Sequence, residues 1–131
     1  MADDSGTLVS SGSSLNMPTG SGSERLRRAT IHALNNGWQE ILSGTAGHIY
    51  TVLSIIFCSQ SGNAGNIQIK MNNGGQDIFL ISGGSGINPI AGEATFVWSD
   101  KFVMEEDDDL DVYNASSNGD FIVTYIDQDW S

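Results

Sequence analysis

The feature that most constrains this chain is its cadence from about Thr30 onward. Short apolar runs rich in Ile, Val, Tyr and Thr follow one another, each closed by a cluster of Gly, Asn, Asp or Ser. β-Branched and aromatic residues fit a pleated surface, while Gly and Asn accept the positive φ angles of tight turns. The longest run, residues 48–59 (HIYTVLSIIFCS), is expected to be a buried central strand, because its β-branching outweighs any helical periodicity. Residues 66–71 alternate, with Ile67, Ile69 and Met71 on one side and Gln68 and Lys70 on the other. Further strands are expected at 30–34, with a start nearer Leu26 as the alternative, at 38–42 and 77–82, over 93–104 with a bend near residues 99–100, and at 110–113 and 120–126. Asn35-Asn36-Gly37 and Asn72-Asn73-Gly74-Gly75 carry the residues of hairpin turns. About eight strands with short connections and no helix predict an all-β fold, an antiparallel β-sandwich of jelly-roll type. An immunoglobulin-like sandwich is the alternative, but its paired cysteines are missing.

The first part of the chain is unlike the rest. Residues 5–23, SGTLVSSGSSLNMPTGSGS, lack periodicity and aromatics, and Gly/Ser segments behave as flexible coils. The expected organisation is a flexible N-terminal arm, residues 1–29, on a β-domain of residues 30–131. Two apolar spots interrupt the arm, Leu8 with Val9 and Leu15 with Met17, and a basic cluster of Arg25, Arg27 and Arg28 closes it. Read blandly, this is a tail with incidental hydrophobes. Read functionally, the apolar spots and the arginines are anchors for a neighbouring subunit.

Charge sharpens the division. Sixteen acidic residues face five basic ones, for a formal net charge of −11. Through residue 28 the charges cancel, so everything beyond holds the whole excess, with only Lys70 and Lys101 against it. Nucleic-acid binding rests on neutralising phosphates with Lys and Arg, so a nucleic-acid partner is not expected. No apolar run approaches the roughly 20 residues that span a bilayer, and residues 1–6 lack the apolar core of a signal peptide. No membrane partner is expected either. Cys58 is the only cysteine and is expected to be a buried, inert thiol.

Chemical motifs are sparse. Residues 105–109, EEDDD, with Asp111 nearby, offer clustered oxygen ligands of the kind Ca²⁺ takes, but an EF-hand spacing is absent. A solvated turn is the simpler reading, and no metal or cofactor is expected. His32 and His48 lie on expected strands without a partner histidine, there is no GxSxG elbow, and the glycine strings sit in turns rather than before helices. No catalytic residue can be named, so an enzyme is not expected. Trp98, near Phe96 and Phe102, is expected in the core, whereas Trp38 and Trp130 are candidate interface residues. Asn114-Ala115-Ser116 matches a glycosylation sequon and is read as a turn.

Three segments carry a likeness to known proteins. Residues 46–55, AGHIYTVLSI, are similar to a small-Gly, aromatic-Thr-Val opening of a long strand. Residues 101–104, KFVM, then an acidic turn and residues 109–112, DLDV, resemble a Lys-x-Val-Leu, turn, Leu-x-Val hairpin, with Glu-Glu-Asp-Asp where Pro-Gly is common. Residues 121–126, FIVTYI, resemble a closing strand. Together residues 30–126 resemble the small β-sandwich virion proteins of tailed bacteriophages, of the capsid decoration (cement) or neck and fibre-adaptor type. That resemblance implies a non-enzymatic virion protein, commonly a homotrimer, assembled in the host bacterial cytoplasm and docked on a major capsid protein or connector. A decoration protein held by its arm is the leading expectation and a neck or tail-fibre adaptor the alternative. A Ca²⁺-assisted carbohydrate-binding module, using the acidic turn and an exposed tryptophan, is a reading from another class.

Overall fold

The computed structural model describes residues 24–60, 66–81, 95–115 and 118–131. These form nine strands: β1 (Glu24–Leu34), β2 (Gly37–Ser43), β3 (His48–Ser59), β4 (Asn66–Asn73), β5 (Gln76–Ile81), β6 (Thr95–Trp98), β7 (Phe102–Met104), β8 (Asp108–Ala115) and β9 (Gly119–Asp129). One antiparallel sheet runs β1-β9-β3-β6, with β7 also paired to β3, and the other runs β2-β8-β4-β5. Because β6 and β7 follow one another along the same edge of β3, each sheet has four ranks. That order is the jelly roll the strand cadence predicts.

Period-two alternation builds the core. In β9 Phe121, Val123 and Tyr125 turn inward, and in β3 Val52, Ile55 and Phe57 do so; Ile67, Ile69, Leu110 and Val112 meet them from the second sheet. Phe57 and Phe121 are fully buried with ring centroids 4.8 Å apart. Each such side chain contributes roughly 2–3 kcal/mol through burial. Trp98, Phe96 and Phe102 pack against this core while staying partly exposed, close to the expectation for Trp98.

Several local expectations are corrected. The strand region expected over residues 93–104 divides into two strands, and it does so at the bend expected near residues 99–100. Residues 53–54 of β3 face three residues, 99–101, between the partners Trp98 of β6 and Phe102 of β7, so pairing cannot continue in register. The Trp98 indole donates to the Asp100 carbonyl at 2.9 Å and closes the break. Asn35-Asn36-Gly37 is a corner, not a hairpin: Asn36 has a φ of 59°, as a turn requires, but β1 and β2 belong to different sheets. Just before it β1 bulges, with Ala33 at a φ of 58° and its N–H donating to Asp120 at 2.8 Å. Asn72-Asn73-Gly74-Gly75 does make the expected hairpin, pairing Asn73 with Gln76 across two positive-φ glycines.

Likewise, residues 105–107 do not close a hairpin, because β7 and β8 lie in opposite sheets. They form an arch that is anchored rather than wholly solvated. Asp108 is 3% exposed; its carboxylate accepts the Glu105 N–H at 2.8 Å and also the Asn73 amide, and its carbonyl accepts the Gly44 N–H at 2.7 Å. Cys58 is exposed, not buried. Inward positions on β3 fall to Ile55, Phe57 and Ser59, which turns residue 58 to the outside.

Candidate functional site

Among the described residues, two outer faces and one partly buried cluster of charged side chains are the places where this fold can act. The basic cluster, expected in the arm, belongs to β1, so the boundary drawn at residues 29 and 30 falls inside a strand. Its arginines split by parity. Arg28 shares the outer side with Leu26 and Thr30, while Arg25 and Arg27 share the inner side with Ala29 and the buried Ile31. Arg27 Nε lies 3.0 Å from Asp127 Oδ2, and His48 Nδ1 lies 2.6 Å from Asp127 Oδ1. His48 Nε2 is 3.7 Å from Asp129, which accepts from the Ser131 backbone at 2.9 Å. Hydrogen bonds from Ser131 hold the Asp129 carboxyl below the usual carboxylate range; burial opposes this, and His48 and Arg25 add to it.

A histidine held by a carboxylate is half of a catalytic arrangement. Here the second ring nitrogen faces another carboxylate, Asp129, and the nearby Tyr50 hydroxyl is bonded to Thr45 at 2.7 Å instead. No described nucleophile is poised on His48, so the cluster ties β1, β3 and β9 together at one end of the sandwich. Burial pushes the Tyr125 hydroxyl upward beside Tyr50, whose ring centroid is 5.0 Å away. Next to this end is a cleft of about 250 Å³ lined by Gly47, His48, Ile49, Glu105, Glu106 and Trp130. Trp130 is 54% exposed there, and its N–H donates to the Gly47 carbonyl at 2.7 Å. His32, by contrast, lies out on the surface, 3.1 Å from Asp120.

The outer face of the second sheet is aromatic and acidic. Pairing places Trp38 beside Tyr113 and, one step along, Glu40, Asp111, Lys70 and Phe79 in a row. The Trp38 ring centroid is 5.2 Å from Tyr113 and 6.3 Å from Phe79, with Lys70 Nζ 4.4 Å above it. Burial pushes the Glu40 carboxyl up, with Asp109 and Asp111 adding to it. Burial does the same to Asp111, where Lys70 offsets part of the shift and Asp109 and Asp77 add to it. Lys70 also lies 3.2 Å from Asp77, whose carboxyl is lowered by hydrogen bonds from Asn72 and Lys70. Among the described residues no group of three or more His, Cys, Asp and Glu side chains is arranged to hold a metal ion.

The outer face of the first sheet is the opposite in character. Two rows cross it from edge to edge: Leu26, Ile126, Thr51 and Val103, then Thr30, Ile122, Ile56 and Val97. Leu26 is 70% exposed, Val97 54% and Val103 50%. Between the rows lie Arg28, Thr124 and Ser54. Sequence reasoning singled out Trp38 but missed Phe79 and Tyr113 beside it, and it missed this apolar face altogether. A signal was available, since the middles of β9 and β3 carry apolar residues at both parities (Ile122 and Ile126 beside Phe121, Val123 and Tyr125; Ile56 beside Ile55 and Phe57), which a strand with one face in water has no reason to do. Asn114 of the sequon is fully buried and donates to the Leu34 carbonyl at 2.9 Å. The arm residues Leu8, Val9, Leu15 and Met17 lie outside the described residues.

No family model matches the chain, and no curated protein matches it. Two solved structures are similar in shape. One comes from work on Bacillus endospore appendages described as a novel family of disulfide-linked pili, at 14% identity and a TM-score of 0.47, covering 95% of this chain and all of that one. The other is the nucleoplasmin-like N-terminal domain of Drosophila FKBP39, at 8% identity and a TM-score of 0.43, covering 81% of this chain and 91% of that one. Both are small β proteins. At this level of similarity neither likeness bears on function.

Proposed function

We propose that this chain is a non-enzymatic assembly module, a capsid decoration protein of a tailed bacteriophage that docks on the assembled capsid. One observation carries the reading: a chain with a net charge of −11 crosses one sheet face with two uncharged rows, Leu26-Ile126-Thr51-Val103 and Thr30-Ile122-Ile56-Val97. Faces of that kind on a soluble domain serve contact with other protein. The resemblance of residues 30–126 to virion β-sandwich proteins supplies the type of assembly. The arm supplies the tether, with Leu8, Val9, Leu15 and Met17 as apolar anchors. Arg28 is the outward member of the basic cluster, whereas Arg27 serves Asp127 within the domain. Several arms in one oligomer raise avidity by about 10²–10⁴-fold.

The test is particle binding by the full chain and by a variant lacking residues 1–23. The truncated protein should stay folded and soluble while its occupancy of capsid particles falls to background. Equal occupancy by both would refute docking through the arm.

A carbohydrate-binding reading has one specific observation in its favour, the Trp38, Tyr113 and Phe79 cluster beside Glu40, Asp111 and Lys70. Aromatic faces stack on sugars, and the polar row beside them suits hydroxyl groups. Quenching of tryptophan fluorescence by oligosaccharides, lost in Trp38→Ala, supports that reading; an unchanged spectrum across a glycan panel removes it.

A further inference from the structure

We infer that the apolar face of the first sheet pairs with the same face of a second copy of this chain, about a two-fold axis running parallel to the strands between β9 and β3. The inference rests on the assembly reading above and names what covers the face.

The strands point to a cover. β3 and β9 are the two central strands of their sheet, and across the two rows both carry apolar or hydroxyl side chains outward: Thr51, Ser54 and Ile56 on β3, Ile122, Thr124 and Ile126 on β9. Strands that read apolar on both sides belong to sheets packed on both sides. A second sheet stacked at about 10 Å, with side chains interdigitating, is the standard solution.

Charge identifies the cover as a second copy. Two chains of net charge −11 can meet only where carboxylates are withdrawn from the contact. The two rows contain none, and among the residues between them the one carboxylate is Asp100, on the connection between β6 and β7; Glu24 and Asp120 flank the patch. A strongly basic partner would gain nothing by choosing this face over the acidic outer face of the other sheet.

Register makes the face self-complementary. An axis parallel to the strands reverses each row onto itself, so Leu26 of one copy lies over Val103 of the other, and Thr30 lies over Val97. The most exposed apolar residues stand at opposite edges of the sheet, so each meets the other twice. Arg28 falls over the connection between β6 and β7, which carries the exposed Asp100 along with Lys101. Four ranks at about 4.8 Å and about nine residues of strand give a face of roughly 19 by 30 Å, or about 600 Å², with the two rows at its centre and Glu24 and Asp120 at its ends. Pairing two such faces buries about 1,200 Å² in total, the lower bound of a specific, stable interface. The dimer is therefore expected to be reversible and dependent on concentration.

Sedimentation equilibrium of the full-length chain, over a concentration series reaching about 100 μM, tests this. The expected result is a monomer–dimer equilibrium whose Kd weakens by about 100-fold in Val97→Glu, since an unpaired carboxylate would be buried at the contact. Ile78→Glu, on the other sheet, adds the same charge and should leave the Kd unchanged. The axis is tested by Leu26→Glu and Val103→Lys. Each alone should weaken pairing, and the double variant should recover it, because the two residues face one another across the axis. A wild-type chain monomeric throughout overturns the inference. So does any oligomer that survives Val97→Glu in a protein with an unchanged melting curve, and so does a double variant no better than the worse single one. Capsid binding is read separately: a dimer that fails to bind particles refutes docking and leaves the pairing intact.

Discussion

Gly119→Ala should destabilise the sandwich more than any change of one methyl group on its surface. Gly119 opens β9 directly against the largest buried side chains of the core. A Cβ built there would stand 2.2 Å from Phe57 Cε1, 2.6 Å from Phe57 Cζ and 2.9 Å from Asn114 Nδ2. Carbon atoms make their best contact at about 3.5–4.0 Å, so the ring would have to retreat by more than 1 Å. It has nowhere free to go, with Phe121 at 4.8 Å and Asn114 tied to the Leu34 carbonyl. Overpacking of this kind costs about 1–3 kcal/mol, and the closeness of three atoms places this case near 3. For a domain of this size that is a fall in melting temperature of about 12 °C or more. Urea unfolding followed by circular dichroism measures the change. The decisive experiment is a double-mutant cycle. Phe57→Leu alone opens a cavity and destabilises, but in the Gly119→Ala background it also relieves the clash, so the pair should couple favourably by about 1 kcal/mol or more. A Gly119→Ala protein within 0.5 kcal/mol of wild type, or strictly additive effects, would refute the steric reasoning.

The other predictions concern charge and exposure. Asp127→Ala should destabilise the fold by about 1.5–3 kcal/mol, because it removes the acceptor of both Arg27 and His48; a urea midpoint unchanged from wild type would show that the cluster holds nothing. Glu40 and Asp111 have raised pKa values, so the fold favours their neutral forms, and the stability they contribute is present in acid and lost as pH rises through their folded pKa values. Asp111→Asn should therefore gain a few tenths of a kcal/mol at pH 7, where solvent screens most of the effect, and nothing at about pH 3; a loss at neutral pH would reverse the sign. Asp120 runs the other way. Burial penalises its charge, but the Ala33 N–H, Gln60 and His32 outweigh it and lower its pKa, so Asp120→Asn should destabilise at neutral pH and converge with wild type in acid. Cys58 should react stoichiometrically with a thiol reagent in dilute native protein, and a thiol released only by denaturant would contradict its outward position.

Legibility followed the range of the interactions involved. The β4–β5 hairpin was readable because its determinants, two asparagines and two glycines, lie within four residues. The Asn35-Asn36-Gly37 turn has similar chemistry but joins two sheets, a choice made by β9 pairing with β1 and β8 pairing with β2 from far along the chain. Ile67 and Ile69 were readable as one side of β4, and both are buried, since alternation is local. The outward position of Cys58 was not, because a register shift between Val52 and Ser54 separates the two halves of β3. The candidate site followed the same rule. Trp38 stood out alone as a large aromatic, whereas Tyr113, 75 residues later, joins it only through pairing of β2 with β8.

By itself the sequence determined the class of fold, the apolar side of β4, and the separation of a charge-balanced N-terminal region from an acidic remainder. Each of these follows from composition or from a period of two along one strand. Tertiary structure alone decided which strands became neighbours, and so which side chains share a face. It set Arg25 and Arg27 on the opposite side of β1 from Arg28, and it buried Asp108 within the acidic run. It also assembled a continuous apolar face from Leu26, Ile126, Thr51 and Val103, residues drawn from four strands. The physical reason is that hydrogen bonding between strands joins residues far apart in the chain, and no local pattern records which partner a strand will find.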